Sequence, residues 1–177
     1  MDRGNLTDAV VSSGDVIAIY ESYANEPDTR PLRRRLIDRG VRLLLPVVNG
    51  ADLDWVDDDG ASHPRGGQKR MPEPSGAVVG QGAPGLAALG CTLIVVPALA
   101  VDHEGLRLGQ GGGYYDKLLF GITELFVPIA SLAIVHDEEI LEQIPSQHHD
   151  ESVGGWLTAT GHHWVFDPSD RSRGSHH

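Results

Sequence analysis

Four short runs rise from the polar background of the chain: Val16-Ile-Ala-Ile-Tyr20, Val41-Arg-Leu-Leu-Leu45, Thr92-Leu-Ile-Val-Val96 and Ser131-Leu-Ala-Ile-Val135. Each is too short for an ordinary helix and nearly continuous in its apolar character. That is the pattern of a strand covered on both faces. Between the first two runs, Pro31 suits the first turn of a helix over residues 31–38, and Gly40 suits its stop. A second helix is predicted over residues 85–89 and a third from the paired tyrosines Tyr114-Tyr115. Strands alternating with helical segments imply right-handed βαβ units. The expected fold is α/β, an open, mostly parallel sheet with helices on both faces, in a single domain over residues 1–168. Residues 49–84, polar and carrying Asp57-Asp58-Asp59 and several prolines, read as a long loop around short strands. Residues 169–177, ending Arg171-Ser-Arg-Gly-Ser-His-His177, read as a tail and expression tag.

The chemistry concentrates just after the third run, in Gly105-Leu-Arg-Leu-Gly-Gln-Gly-Gly-Gly-Tyr-Tyr-Asp-Lys-Leu-Leu119. Four of the five positions 109–113 are glycine, so backbone amides can close on an anion and positive φ is easily reached. The segment then becomes helical, which aims a helix N-terminus at the same place. Arg107 ahead of the loop offers a phosphate partner, and Asp116 behind it a magnesium ligand. Two better-known phosphate loops are excluded. There is no G-x-x-x-x-G-K-[ST], and the Rossmann spacing fails because Tyr114 stands at the sixth position from Gly109. A glycine-rich turn with no ligand is the competing reading of these residues alone.

The wider string, Val96-Pro97-Ala-Leu-Ala-Val-Asp102 followed by Gly105-x-Arg107-Leu108-Gly109-x-Gly111-x-Gly113-Tyr114-Tyr115-Asp116, closely resembles the signature of 5-formyltetrahydrofolate cyclo-ligases. Weaker similarities flank it in the right order. They are Ile17-Ala-Ile-Tyr20 with Glu26-Pro-Asp-Thr29, then Leu45-Pro46, Glu73-Pro74, Gln143-Ile-Pro145-x-x-x-His149-Asp150 and Thr158. The resemblance spans roughly residues 15–161. It implies ATP and Mg2+ as cofactors and 5-formyltetrahydrofolate as substrate. ATP activates the formyl oxygen, a nearby amine closes the ring, and 5,10-methenyltetrahydrofolate, ADP and phosphate leave. Such phosphoryl chemistry asks mainly for positioning and charge neutralisation.

The resemblance also assigns roles. Arg107, Leu108, Gly109, Gln110, Gly111, Gly112, Gly113, Tyr114 and Tyr115 would hold the nucleotide, with Arg107 and Tyr115 also catalytic. Glu21, Glu26 and Tyr114 would meet the folate, and Asp116 and Asp150 the metal. Members of the family usually begin with a helical segment carrying a Lys and an Arg toward the ATP phosphates. Here only Met1 to Ser13 precede the first strand and Arg3 is their sole basic residue, so the resemblance supplies no counterpart for that pair.

Composition narrows the class. A formal net charge of −11, more acidic still without the two tail arginines, argues against a nucleic-acid partner. No apolar run approaches a membrane span, and the N-terminus lacks the layout of a signal peptide. A single cysteine, Cys91, fits a reducing cytoplasm. His148-His149-Asp150 is a poor structural zinc site, because zinc wants four ligands. Glutamate beside proline at residues 26–27 is, on residues alone, a solvated loop carboxylate. Three readings stand: an ATP-dependent cyclo-ligase, acting as a monomer or small homo-oligomer; a diverged relative that binds folate or nucleotide without turnover; or another small-molecule enzyme on the same sheet.

Overall fold

The computed structural model describes residues 11–64, 72–145 and 150–165. The tail, Arg3, and the pair His148-His149 lie outside the described residues.

Eight strands form one sheet. In chain order they are β1 (Val16–Ala18), β2 (Arg42–Asn49), β3 (Asp52–Asp57), β4 (Val78–Gln81), β5 (Cys91–Pro97), β8 (Ala130–Ile134), β10 (Gly155–Thr158) and β11 (Gly161–Trp164). Their spatial order is β11-β10-β8-β5-β1-β2-β3-β4. The four runs read from the sequence supply β1, β2, β5 and β8, and these pair in parallel. Their middles are buried throughout, from Ile17 and Ala18 to Leu44, Val95 and Leu132, as strands covered on both faces require. A smaller sheet holds β6 (Ala100–Asp102), β7 (Arg107–Leu108) and β9 (Ile140–Leu141).

Three helices cover the large sheet: α1 (Arg30–Asp38), α2 (Gly82–Ala88) and α3 (Tyr114–Glu124). Helix α1 carries the chain from β1 to β2, one step to one side. Helix α3 lies between β5 and β8, one step to the other side. Right-handed crossovers in opposite directions put their helices on opposite faces. Helix α2 packs against α3, so these two share a face. The buried positions of α3 are Tyr115, Leu118, Leu119 and Ile122, a one-sided stripe at helical spacing.

Residues 49–84 carry short strands around a long loop. Strands β3 and β4 continue the sheet antiparallel to β2, with Leu45 opposite Val56 and Pro46 opposite Trp55. Trp55 is buried there and donates its indole N–H to the Gly82 carbonyl at 3.0 Å. Helix α2 starts at Gly82, three residues before the expected start. Pro46 in mid-strand looks out of place until the lengths are compared. The last β1 bond to β2 runs from Ile19 N–H to the Leu44 carbonyl, so Pro46, two residues on, faces the side where β1 has already ended. No ladder donor is lost, and the exposed edge becomes a wall of the site.

Candidate functional site

The chain leaves β1 toward one side of the sheet and β5 toward the other, so the loops after these neighbouring strands part. A crevice at such a switch point is where open α/β sheets hold ligands. Here a cavity of about 250 Å3 opens between residues 20–26 after β1 and residues 107–116 after β5. Leu45, Pro46, Pro72, Pro74 and Pro97 complete its lining.

One wall is the glycine loop. Gly111 has φ +95° and Gly113 φ +72°, both in the left-handed region that disfavours side chains. Gly109 and Gly112 are needed for a different reason. A Cβ on Gly109 would stand 2.9 Å from the Arg107 guanidinium, and one on Gly112 2.9 Å from the Tyr114 ring. Gly113 caps α3, an eleven-residue helix. None of the amides of Gly111, Gly112 and Gly113 donates to a described residue, and the first intrahelical bond runs from Lys117 N–H to the Gly113 carbonyl. Gly111, Gly112 and Gly113 line the cavity at this helix start, and unpaired N–H groups at a helix start are able to hold an anion.

Arg107 lies beneath the loop. The strand pair of β7 with β6 turns its side chain inward, where it is 3% exposed. It donates to Asp116 Oδ1 at 2.8 Å and to the Pro97 carbonyl at 3.2 Å. Its Nε has no hydrogen-bond partner. The guanidinium therefore braces the loop against the helix and is not saturated by these two bonds. Tyr20 and Tyr115 line the same cavity, and each has a buried hydroxyl without a partner. Burial pushes both phenols well above their usual range, and the charge of Glu26 adds to the shift. Both hydroxyls keep their protons at neutral pH. Three side chains that line the cavity thus each hold a buried polar atom without a partner.

The opposite wall is the loop after β1. Its base is stapled: Ser22 N–H donates to Thr29 Oγ1 at 3.0 Å, and Thr29 N–H to Ser22 Oγ at 2.9 Å. Within it, Glu26 Oε2 accepts from Tyr23 N–H at 2.9 Å and Oε1 from the Gln110 amide at 2.6 Å. Burial raises the Glu26 carboxyl above its usual value, and these two bonds pull it back.

The expected site residues thus separate. Arg107, the glycines, Gln110, Tyr114, Tyr115, Asp116, Glu21 and Glu26 all line one cavity. Leu108 is exposed on β7 and contributes no lining side chain. Glu21 lines the cavity while its carboxylate is taken from behind, by His63 N–H at 2.8 Å and His63 Nδ1 at 2.9 Å. Asp150 is half-buried and is not part of the lining. Among the described residues no three His, Cys, Asp or Glu side chains are grouped to hold a metal ion. Lys117 is an exposed helix residue, paired with Asp52 at 2.6 Å.

The sequence reading missed a buried cluster behind Glu21. Arg33 on α1 is 1% exposed and makes a two-pronged bond to Asp58, with both distances 2.7 Å, and it also donates to the Ala61 carbonyl. A signal existed: Arg33 stands three residues before the buried Leu36, on the same helix face.

Similarity to known proteins follows the same architecture. Residues 6–159 match the model of the 5-formyltetrahydrofolate cyclo-ligase family. The chain is 33% identical over 170 residues to the 5-formyltetrahydrofolate cyclo-ligase of Mycolicibacterium smegmatis, covering 88% of this chain and 79% of that one. It is 28% identical over 148 residues to the Escherichia coli K12 enzyme of the same name, with 82% and 78% covered. The NMR structure of Aquifex aeolicus 5,10-methenyltetrahydrofolate synthetase superposes with a TM-score of 0.68 at 25% identity, covering 97% of this chain and 82% of that one. A match running from ahead of β1 to the end of β10 takes in both walls of the cleft, and the chain belongs to the 5-formyltetrahydrofolate cyclo-ligase family.

Proposed function

We propose that this protein uses ATP to cyclise 5-formyltetrahydrofolate to 5,10-methenyltetrahydrofolate, with release of ADP and phosphate. The observation that carries this reading is the row of open amides at residues 111–113, set at the switch-point cleft and facing a second wall with its own carboxylate. The nucleotide phosphates lie on those amides and on the start of α3. Arg107, fixed by Asp116 and Pro97, would bring its positive charge beside the oxygens that gain charge during transfer. Tyr115 and Tyr20 supply neutral O–H donors, and water is restricted by the proline-rich rim. Glu26, with one donor on each oxygen, retains lone pairs for N–H groups of the folate ring.

A magnesium ion fits this donor set through the nucleotide. Magnesium keeps several waters and asks the protein for only one or two carboxylates, and Asp116 would be the one here, its Oδ1 already bonded to Arg107. Bound there, it would neutralise charge on the phosphate oxygens. The test is incubation with 5-formyltetrahydrofolate and magnesium-ATP, following the methenyl product by its near-ultraviolet absorbance. Product that depends on all three components is expected. Folate and nucleotide binding without turnover would overturn the catalytic reading, and no folate binding would overturn the substrate.

A further inference from the structure

Gln110 is the one side chain of the 109–113 segment, and it points across the cleft. Its amide N–H donates to Glu26 Oε1 at 2.6 Å, and its amide oxygen accepts from the Tyr23 hydroxyl at 3.1 Å. These bonds join segments 84 and 87 positions apart in the chain. The amide's orientation is set by Glu26, since a carboxylate can only accept; the phenol can give or take, and here it donates to the remaining amide oxygen. A carboxamide meets both partners, whereas an aliphatic side chain meets neither.

The surroundings show what this bond adds. Ser22 and Thr29 fix the base of the loop, and Tyr23 N–H fixes Glu26 Oε2. Those contacts are local and would hold Glu26 to its own loop wherever that loop stood. Among the described residues, the Gln110 bond is the one that ties the carboxylate to the glycine segment on the facing wall. We propose that Gln110 is a positioning residue, whose carboxamide clasps Glu26 and Tyr23 across the mouth of the cleft and sets the carboxylate at a fixed place relative to the phosphate-holding loop. This rests on the reading that Glu26 meets the folate. The consequence is specific. Loss of the clasp releases one carboxylate oxygen without touching the backbone amides, so folate affinity suffers and nucleotide affinity does not.

Steady-state kinetics on the full chain test this, with equilibrium binding of 5-formyltetrahydrofolate as a second measurement. Gln110→Leu removes both bonds at an exposed position and should fold normally. It is expected to raise the folate KM about tenfold, the scale of one hydrogen bond to a charged group, with the ATP KM and kcat changed less than about twofold. Gln110→Lys restores a donor to Glu26 and should recover most of the folate KM. Gln110→Leu added to Glu26→Gln should cost little beyond Glu26→Gln alone, because the two act through one contact. If Glu26→Gln raises the folate KM and Gln110→Leu does not, the clasp is overturned and the functional reading survives. An ATP KM that rises in step with the folate KM would place Gln110 on the nucleotide and also overturn it. If neither variant weakens folate binding, Glu26 is not a folate contact and the clasp falls with it.

Discussion

Two polar clusters meet back to back at Glu21, and they are built to opposite rules. Behind it, Arg33, Asp58, His63 and Glu21 turn toward one another: the Asp58 side chain is fully buried, and its two oxygens take the Arg33 guanidinium at 2.7 Å each. In front, Tyr20, Tyr115 and Arg107 are as deeply placed, yet each keeps a polar atom without a partner. Both clusters are removed from water, and one is closed while the other is open. Buried polar groups normally find partners within the fold. A closed cluster is then explained by stability, whereas an open one around a cavity is explained by something that arrives. One nitrogen of Arg33 also makes no hydrogen bond to a described residue, and it faces Glu21 at 3.8 Å.

The comparison breaks most visibly at Arg33. Arg33→Met leaves the Asp58 carboxylate buried and unpaired, and loss of one member of a buried ion pair costs about 3–5 kcal/mol. Urea unfolding at pH 7 should show this as a large fall in the midpoint. A fall under about 1 kcal/mol would mean that the cluster is solvated and the contrast with the cleft is false.

Arg107 should behave differently. Arg107→Ala is expected to lower turnover by about 10²-fold or more, the loss typical of a donor aimed at developing charge. Circular dichroism would check that the fold is kept, and the initial rate of methenyl formation gives the effect. A folded variant with near-normal turnover would reduce Arg107 to a brace for Asp116, on the same footing as Arg33.

The glycine loop allows a smaller and cleaner intervention. No atom lies within 4 Å of a Cβ built on Gly111, so a side chain there meets open space and only the backbone objects. At φ +95° a β-branched residue is strained, and the left-handed region costs an ordinary residue roughly 1–2 kcal/mol. Gly111→Val should relax the loop out of shape and weaken ATP binding by about tenfold, measurable by titration calorimetry. Unchanged ATP affinity in the folded variant would sink the amide cradle.

What the sequence made legible divides along the same line as contact distance. The parallel strands β1, β2, β5 and β8 and the start of α3 rest on local signals, namely apolar runs and a glycine stop, and these were readable. Short strands were expected in residues 49–84, but the bounds and pairing of β3 and β4 were not readable, because Asp52-Leu-Asp-Trp-Val-Asp57 is half acidic and its register is set against β2 and β4. Arg107 read as a phosphate ligand because its neighbours are glycines. That it also pairs with Asp116 depends on β7 turning the side chain inward, and sequence order does not encode that turn. The bonds of Arg33 to Asp58 and of Gln110 to Glu26 join positions 25 and 84 apart, beyond the reach of any local pattern.

Glu26 gives the smallest effect and the finest test of the contrast. Its carboxyl is raised above the usual value of 4.5, chiefly by burial. A carboxyl raised in the folded state contributes stability that is complete below its unfolded pKa and is lost as pH rises through the folded value. Near neutrality the charged Glu26 is therefore a net burden on the fold, as expected of a group kept for a ligand. Glu26→Gln removes that burden. Thermal melts should show the gain at pH 7 and its disappearance near pH 4, while folate affinity falls at pH 7. A variant that loses stability at pH 7 would show that Glu26 belongs with the closed cluster, its bonds to Tyr23 and Gln110 serving the fold before the substrate.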